Sequence, residues 1–291
     1  MNEKMTKQER IKVFEETIKD AEKGTYTHEN NTIEINQYDT AMIEGTTFYE
    51  QKVELDDSDC MVHYETQIDV TNNDTLYEAK KLIEEGYKPL VLNMASERIP
   101  GGGVLKGSSA QEENIFRRTN IYKALYRYHD VGKQFNITRD EKHSYPLNEK
   151  YGAIYTPYVT VFKEGEDKKY QYTKPYNIGV ITLPSVRCPK LTKDKLHYAE
   201  KETEEIIIEK IKQLLNIAIK HKYNALVLGA FGCGAFKNPP KEMARIFADV
   251  LTEEEYEGRF KKIHFAILEN QDTQGEHNKQ GNLKPFMEIF K

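Results

Sequence analysis

The stretch "NMASERIPGGGVLKGSSAQEENIFRRTNIYKAL", Asn93 to Leu125, decides how the chain folds. It continues the apolar run Lys88 to Ala95, which reads as a buried strand. It then enters a helix expected from Ser109 or Ala110 through Tyr128. Strand, glycine loop and helix in that order are the common setting for a ligand loop in an α/β protein. Glycine has no Cβ, so a ligand can lie against bare backbone at Gly101, Gly102 and Gly103, and unusual dihedrals cost little there. Successive backbone N–H groups can cradle a phosphate, and a helix N-terminus adds a field favourable to an anion. A tight turn is the alternative reading.

Working outward, Lys7 to Lys23 reads as an amphipathic helix, with Ile11, Phe14, Ile18 and Ala21 at helical spacing and Gly24 as its stop. Thr32 to Ile35 and Met61 to Val70 read as strands. Asp74 caps a helix through about Glu85, ended by Gly86. Strands follow at Ala153 to Glu164 and Tyr176 to Val186, then a long helix at Lys201 to His221. Asn224 to Phe236 is a second strand-to-loop unit, and Pro239 to Val250 the helix after it. Ile263 to Ile267 is a late strand, and Phe286 to Phe290 a short helix or turn. Gln134 to Asn148 and Gln271 to Gly281 are polar loops. The alternation predicts an α/β/α layered fold, and the lack of any linker predicts one domain spanning residues 1–291.

The second loop, "GAFGCGAFKNPP", brings Gly229, Gly232 and Gly234 out of a strand. Parallel strands place their C-terminal ends on one side, so both glycine loops are expected to line one crevice and to share a diphosphate. Lys237 does not fit the GxxxxGK[ST] phosphate loop, and no GxGxxG is followed by an acidic residue on the next strand. ATP hydrolysis and nicotinamide redox chemistry are thereby disfavoured. Cys233 is expected to pack beneath its loop, with a thiol nucleophile as the minor alternative.

Composition narrows the partners. The net charge of -5 and pI near 6.0 argue against general nucleic-acid binding, which needs a basic footprint. Nineteen Tyr and 12 Phe offset a modest 38% hydrophobic content, so a packed core is expected. The three cysteines, Cys60, Cys188 and Cys233, are too widely spaced for a metal motif and odd in number, which fits a reducing cytoplasm. The charged start "MNEKMTKQERIK" lacks an apolar signal region, and no apolar run is long enough for a membrane span.

Gln111, Glu112 and Glu113 open the predicted helix. Acidic side chains there ordinarily answer the helix dipole. Adjacent side chains also point about 100° apart, so the two glutamates can hold different jobs. One can order a ligand while the other gives a proton to a leaving oxygen, as glycoside hydrolysis requires. Arg117 and Arg118 are expected mainly to pair in solvent, with the glutamates or a phosphate as alternatives. His63, His129 and His143 are scattered and suggest packing or surface positions rather than metal ligands; no metal and no cofactor are expected.

These segments together resemble the microbial-type poly(ADP-ribose) glycohydrolases, a macrodomain-related family. Seven residues, Val104 through Ala110, separate GGG from QEE, matching the family signature. "LVLGAFGCGAFKNPP", Leu226 to Pro240, is similar to the family's second phosphate loop. "KIHFAI" and "RIKVFEETIKDAEKGTYT" are similar to its late strand and its N-terminal helical extension, here residues 1–30. The resemblance implies a macrodomain-like three-layer α/β/α fold with a mixed central sheet. It implies a glycoside hydrolase that releases ADP-ribose from the end of poly(ADP-ribose). Glu113 would be the catalytic acid and base, and Glu112 the residue that contacts ribose hydroxyls. Gln111, Asn93, Gly101, Gly102 and Gly103 would support or contact the substrate. Gly232, Cys233, Gly234, Ala235 and Phe236 would hold the diphosphate, with Phe236 near the distal ribose.

One departure is Leu183, Pro184 and Ser185, where family members often carry alanine, proline and asparagine; it bears on the fit of the adenosine portion. Tyr158 and Tyr176 are the aromatic candidates for stacking adenine. Two further functions fit the same residues: hydrolysis of mono-ADP-ribosylated protein, and ADP-ribose binding without turnover. A lone binding module has no need of the paired glutamates.

Overall fold

A computed structural model describes residues 4–56, 58–59, 62–269 and 275–291. In chain order its helices are α1 (Lys7–Lys23), α2 (Asp39–Gly45), α3 (Thr75–Glu84), α4 (Gln111–Arg118), α5 (Tyr122–Leu125), α6 (Lys201–Lys220), α7 (Pro240–Leu251) and α8 (Leu283–Ile289). Its strands are β1 (Thr25–His28), β2 (Asn31–Glu34), β3 (Thr47–Tyr49), β4 (Gln67–Thr71), β5 (Pro89–Met94), β6 (Ala153–Lys163), β7 (Tyr172–Leu183), β8 (Ala225–Leu228) and β9 (Lys262–Ala266). Strands β3 to β9 form a mixed sheet with helices flanking it, as the sequence predicts. The chain divides into two compact units: Met1–Phe48, Ala95–Leu147 and Ile154–Thr182 in the first, and Tyr49–Met94, Asn148–Ala153 and Leu183–Lys291 in the second.

In the first unit, α1 begins with a capping box. Thr6 Oγ1 accepts the Glu9 amide, and the Glu9 carboxylate accepts the Thr6 amide. Gly24 ends the helix at φ 77°, a left-handed cap that suits glycine. The buried face of α1 carries Phe14, whose ring centroid lies 6.4 Å from those of Phe116 and Tyr122. β1 and β2 form a hairpin, and Tyr26 stacks on Tyr172 at 4.8 Å. β6 and β7 are antiparallel, with Ile154 opposite Thr182, and their register shifts between Thr156 and Val159. Tyr158 sits in that bulge at φ 52° and stacks on Tyr38.

The helix expected through Tyr128 stops ten residues earlier. Thr119 is extended, at φ −139° and ψ 167°, and bridges to Val161. Asn120 then bonds outside the helix: its Oδ1 accepts the Thr160 amide at 2.8 Å and its Nδ2 donates to Asp39 at 2.7 Å. Tertiary bonds to β6 and α2 therefore outcompete helix propagation. Hairpin strand β1, helix α2 and strand β3 were not expected from pattern, because each is short.

In the second unit β5, β8, β9 and β4 are parallel neighbours, in the registers Pro89–Ala225, Ala225–Lys262 and Gln67–Lys262. β8 and β9 are buried along their length, and β5 up to its last residue; this explains the apolar runs of β8 and of β5 from Pro89 to Leu92, whereas β9 buries Lys262 and His264 among its apolar residues. Asp74 caps α3 by accepting the Leu76 and Tyr77 amides. Polar side chains on α6 anchor the irregular segment before β4. Gln213 accepts the Val53 amide and donates to Gln51 and Tyr151 carbonyls, while Asn216 donates to the Val53 carbonyl. β4 begins at Gln67, later than expected. Met61, and residues 271–274 of the expected late loop, lie outside the described residues.

Candidate active site

In the first unit the glycine loop folds back on the start of α4. Gly101 and Gly102 have φ of 78° and 53°, where only glycine is unstrained. A Cβ on Gly101 would lie 2.7 Å from the Phe116 ring. One on Gly102 would lie 2.7 Å from Glu113 Oε1 and 2.9 Å from Glu112 Oε2. Gly102 is thus required by the two glutamates and Gly101 by Phe116, before any ligand is considered.

The two glutamates are both buried, 3% and 7% exposed, yet they are bonded differently. Glu112 spans the turn: Oε1 accepts the Gly101 amide at 2.9 Å and Oε2 accepts the Ser96 amide at 2.7 Å. Glu113 is held by one oxygen, Oε1, which accepts the Gly103 amide at 2.8 Å. Its Oε2 is buried and makes no hydrogen bond among the described residues. Charge-assisted bonds of this kind fix a carboxylate in place. Gln111 stands beside them as the first residue of α4.

The surroundings hold this turn from behind. Arg117 is fully buried; its Nη2 donates to the Ser108 carbonyl and its Nε to the Arg10 carbonyl. Thr17 Oγ1 donates to the Arg117 carbonyl at 2.5 Å. Arg118 is buried too, and its Nε donates to the Lys163 carbonyl. Solvent pairing, the expected fate of both arginines, does not occur, because both side chains are buried and donate to backbone carbonyls. The phenols of Tyr126 and Tyr145 are buried and feel the charge of Glu112; burial first, and that charge second, push both well above the usual phenol range.

The second unit contributes a separate cradle. Gly232 has φ 72°, and a Cβ there would lie 2.5 Å from both Ser185 Oγ and Asn238 Nδ2. Asn238 is buried and shapes the loop: Nδ2 donates to the Val186 and Gly232 carbonyls, and Oδ1 accepts the Tyr198 hydroxyl. The Cys188 amide donates to the Phe236 carbonyl at 2.8 Å, and the Arg187 guanidinium lies 5.6 Å from the Phe236 ring. The amides of Gly234, Ala235 and Phe236 donate to no group among the described residues. Successive N–H groups in a turn can form an anion-binding concavity. Cys233 is fully buried and burial pushes its thiol up, so it packs and has no thiolate to offer. Asn93 is fully buried on β5. At the departure site Leu183 closes β7, and the buried Ser185 hydroxyl packs against Gly232.

Among the scattered histidines, His63 is exposed and lies beside Gly258, His143 stacks on Phe48 at 5.1 Å, and His129 Nδ1 accepts the Val131 amide. Among the described residues no three His, Cys, Asp or Glu side chains are grouped for a metal ion, and no helix is long and apolar enough to cross a membrane. Sequence reading missed Arg117, Asn238 and His277 as supports. Asn238 stood in the quoted loop motif; nothing local marked the other two, whose partners are distant in sequence.

Residues 14–164 match the sequence model of the microbial-type PARG catalytic domain. Among solved structures, poly(ADP-ribose) glycohydrolase from Thermomonospora curvata bound to the inhibitor ADP-HPD is 27% identical. It covers 97% of this chain and 100% of its own, at a TM-score of 0.74. A second structure of the Thermomonospora curvata enzyme is 26% identical over the same shares, at a TM-score of 0.76. The Deinococcus radiodurans enzyme in complex with ADP-ribose is 26% identical over 86% of this chain and 96% of its own, at 0.65. No curated protein matches the chain.

Proposed function

The chain belongs to the microbial-type poly(ADP-ribose) glycohydrolase family and is a glycoside hydrolase acting on poly(ADP-ribose), and we propose that Glu113 is its catalytic acid and base. The observation that carries this is the asymmetry of the Glu113 carboxyl. Oε1 accepts the Gly103 amide and so must present a lone pair; Oε2 has no partner among the described residues. A proton on the carboxyl therefore resides on Oε2.

From there it passes to the ribose oxygen of the scissile O-glycosidic bond as that bond breaks. The anomeric carbon becomes oxocarbenium-like and faces the newly formed carboxylate. A water then attacks that carbon and gives its proton back to Glu113, completing hydrolysis and releasing ADP-ribose. Glu112 fixes the turn through the Ser96 and Gly101 amides and so stands beside Glu113 as the proposed contact to ribose hydroxyls. Gly101 to Gly103, Gln111 and Asn93 are proposed substrate contacts or supports. The free amides from Gly234 to Phe236, with Gly232 and Cys233 shaping their turn, offer donors to the diphosphate. A cytoplasmic location fits the free thiols of Cys188 and Cys233.

The test is release of ADP-ribose from automodified poly(ADP-ribosyl)ated protein by the parent and by Glu113→Gln. The parent should release it, and the variant should lose on the order of 10²–10⁴-fold while still binding ADP-ribose. Parental turnover in Glu113→Gln would sink the assignment. If the parent leaves polymer intact but cleaves mono-ADP-ribosylated protein, the substrate is the smaller one; if it binds and cleaves neither, the fold serves binding alone.

A further inference from the structure

We infer that His277 is a positioning residue for the anion cradle, aiming the Gly234 amide at the diphosphate by holding the carbonyl of Cys233. This rests on the reading that the Gly234 to Phe236 amides receive that diphosphate.

The geometry is direct. His277 is buried, and its Nε2 lies 2.8 Å from the Cys233 carbonyl oxygen. A carbonyl oxygen only accepts, so Nε2 is the donor and carries a proton. The Cys233 carbonyl and the Gly234 N–H belong to one planar trans peptide, in which they point in opposite directions. Fixing the oxygen toward His277 therefore fixes the N–H away from it. That N–H is the first of the three free amides, and the other two follow in the same turn.

The chain builds a support to bring His277 there. Asn278 is buried, with Oδ1 accepting the Gly275 amide and Nδ2 donating to Asn282 Oδ1. The Gly281 amide donates to the Asn278 carbonyl. Glu269 accepts the Asn282 and Leu283 amides with its two oxygens. Gly281, at φ 80°, lies so close to the Glu269 carboxylate that a Cβ would collide with it. Each of these bonds joins residues between Glu269 and Leu283, and from this stretch the His277 side chain reaches the Cys233 loop. A loop that needed only burial would be served by an apolar side chain at this position. A buried donor placed on a carbonyl specifies orientation instead.

The test compares the parent with His277→Gln, whose amide can replace the donor, and His277→Met, which fills space without one. Calorimetry with ADP-ribose should show about tenfold weaker binding in His277→Met and binding within about threefold of the parent in His277→Gln. With polymer, the loss in His277→Met should fall on KM rather than kcat. Nitrogen-15 NMR of the unaltered protein reads the premise without a variant: His277 should carry its proton on Nε2. An unprotonated Nε2, a His277→Met variant that binds like the parent, or a His277→Gln variant as weak as His277→Met would each overturn the inference. Absence of ADP-ribose binding by the parent would instead overturn the reading of the cradle itself, and the inference with it.

Discussion

Glu113 Oε1 and the Gly103 amide, 2.8 Å apart, tie the two halves of the signature into one object. The proposed catalytic carboxyl does not stand in the glycine loop's neighbourhood by chance of packing; the loop's own backbone orients it. Each carboxylate of the pair therefore has a distinct sensitivity to substitution.

Glu112 should be the more structural of the two. Both its oxygens accept amides. In Glu112→Gln one of those amides meets an NH2 group, leaving a buried donor unpaired at a cost of about 2 kcal/mol. Glu113→Gln can keep its single acceptor bond. Thermal melts should show a clear drop for the first variant and little for the second; equal drops would contradict this division.

Gly102 has no room for a methyl group. Gly102→Ala places a Cβ against both carboxylates at an unfavourable φ. Stability should fall by about 1–3 kcal/mol, and kcat should fall further than Tm implies, because Glu113 is displaced. Polymer cleavage by a folded Gly102→Ala at the parental rate would refute the contact.

Arg117 should matter without touching substrate. Arg117→Met leaves the Ser108 and Arg10 carbonyls without their donor, and urea melts should record a loss of about 3 kcal/mol. A surface arginine would cost almost nothing, so the size of the loss discriminates.

Cys233→Ala should retain catalysis. The thiol is buried and its ionisation is opposed by burial, so no step depends on it. Turnover within about threefold of the parent is expected, with a stability loss of about 1 kcal/mol for the small void. Complete inactivation of a folded variant would reopen the nucleophile reading.

His221 gives the fold an acid-sensitive element. Its Nε2 is 2.9 Å from the Tyr49 hydroxyl, and burial, with Lys88 nearby, pushes its pKa down to about 4. Between about 6.5 and 4 the unfolded chain takes up a proton that the folded chain refuses. Stability from this residue is thus present above pH 6.5 and is lost as pH falls toward 4. Urea melts at several pH values should show this slope in the parent and its absence in His221→Phe; matching slopes would dismiss it.

The regular elements were legible in sequence where their determinants are local. Asp74 and Gly24 announce helix ends through their own side chains and dihedrals, and the buried parallel strands announce themselves as apolar runs. The end of α4 was not legible, because Asn120 is claimed by Thr160, 40 positions away. Glu112 and Glu113 could be picked out as a pair, but which was clamped and which was left with a free oxygen depends on Ser96, Gly101 and Gly103 amides whose directions only the folded loop defines. Arg117 misled for the same reason: charge suggests solvent, and only tertiary structure supplies the two carbonyls that bury it.

The docking of α1 on α4 has a consequence for any attempt to trim the protein. Thr17 holds the Arg117 carbonyl, Phe14 packs against Phe116, and Gly107 backs directly onto Lys7. A shortened fragment beginning near Thr32 would keep every signature residue and still lack the wall they lean on. The amino-terminal helix is a buttress of the proposed reaction centre, and the minimal working unit has to be drawn to include it.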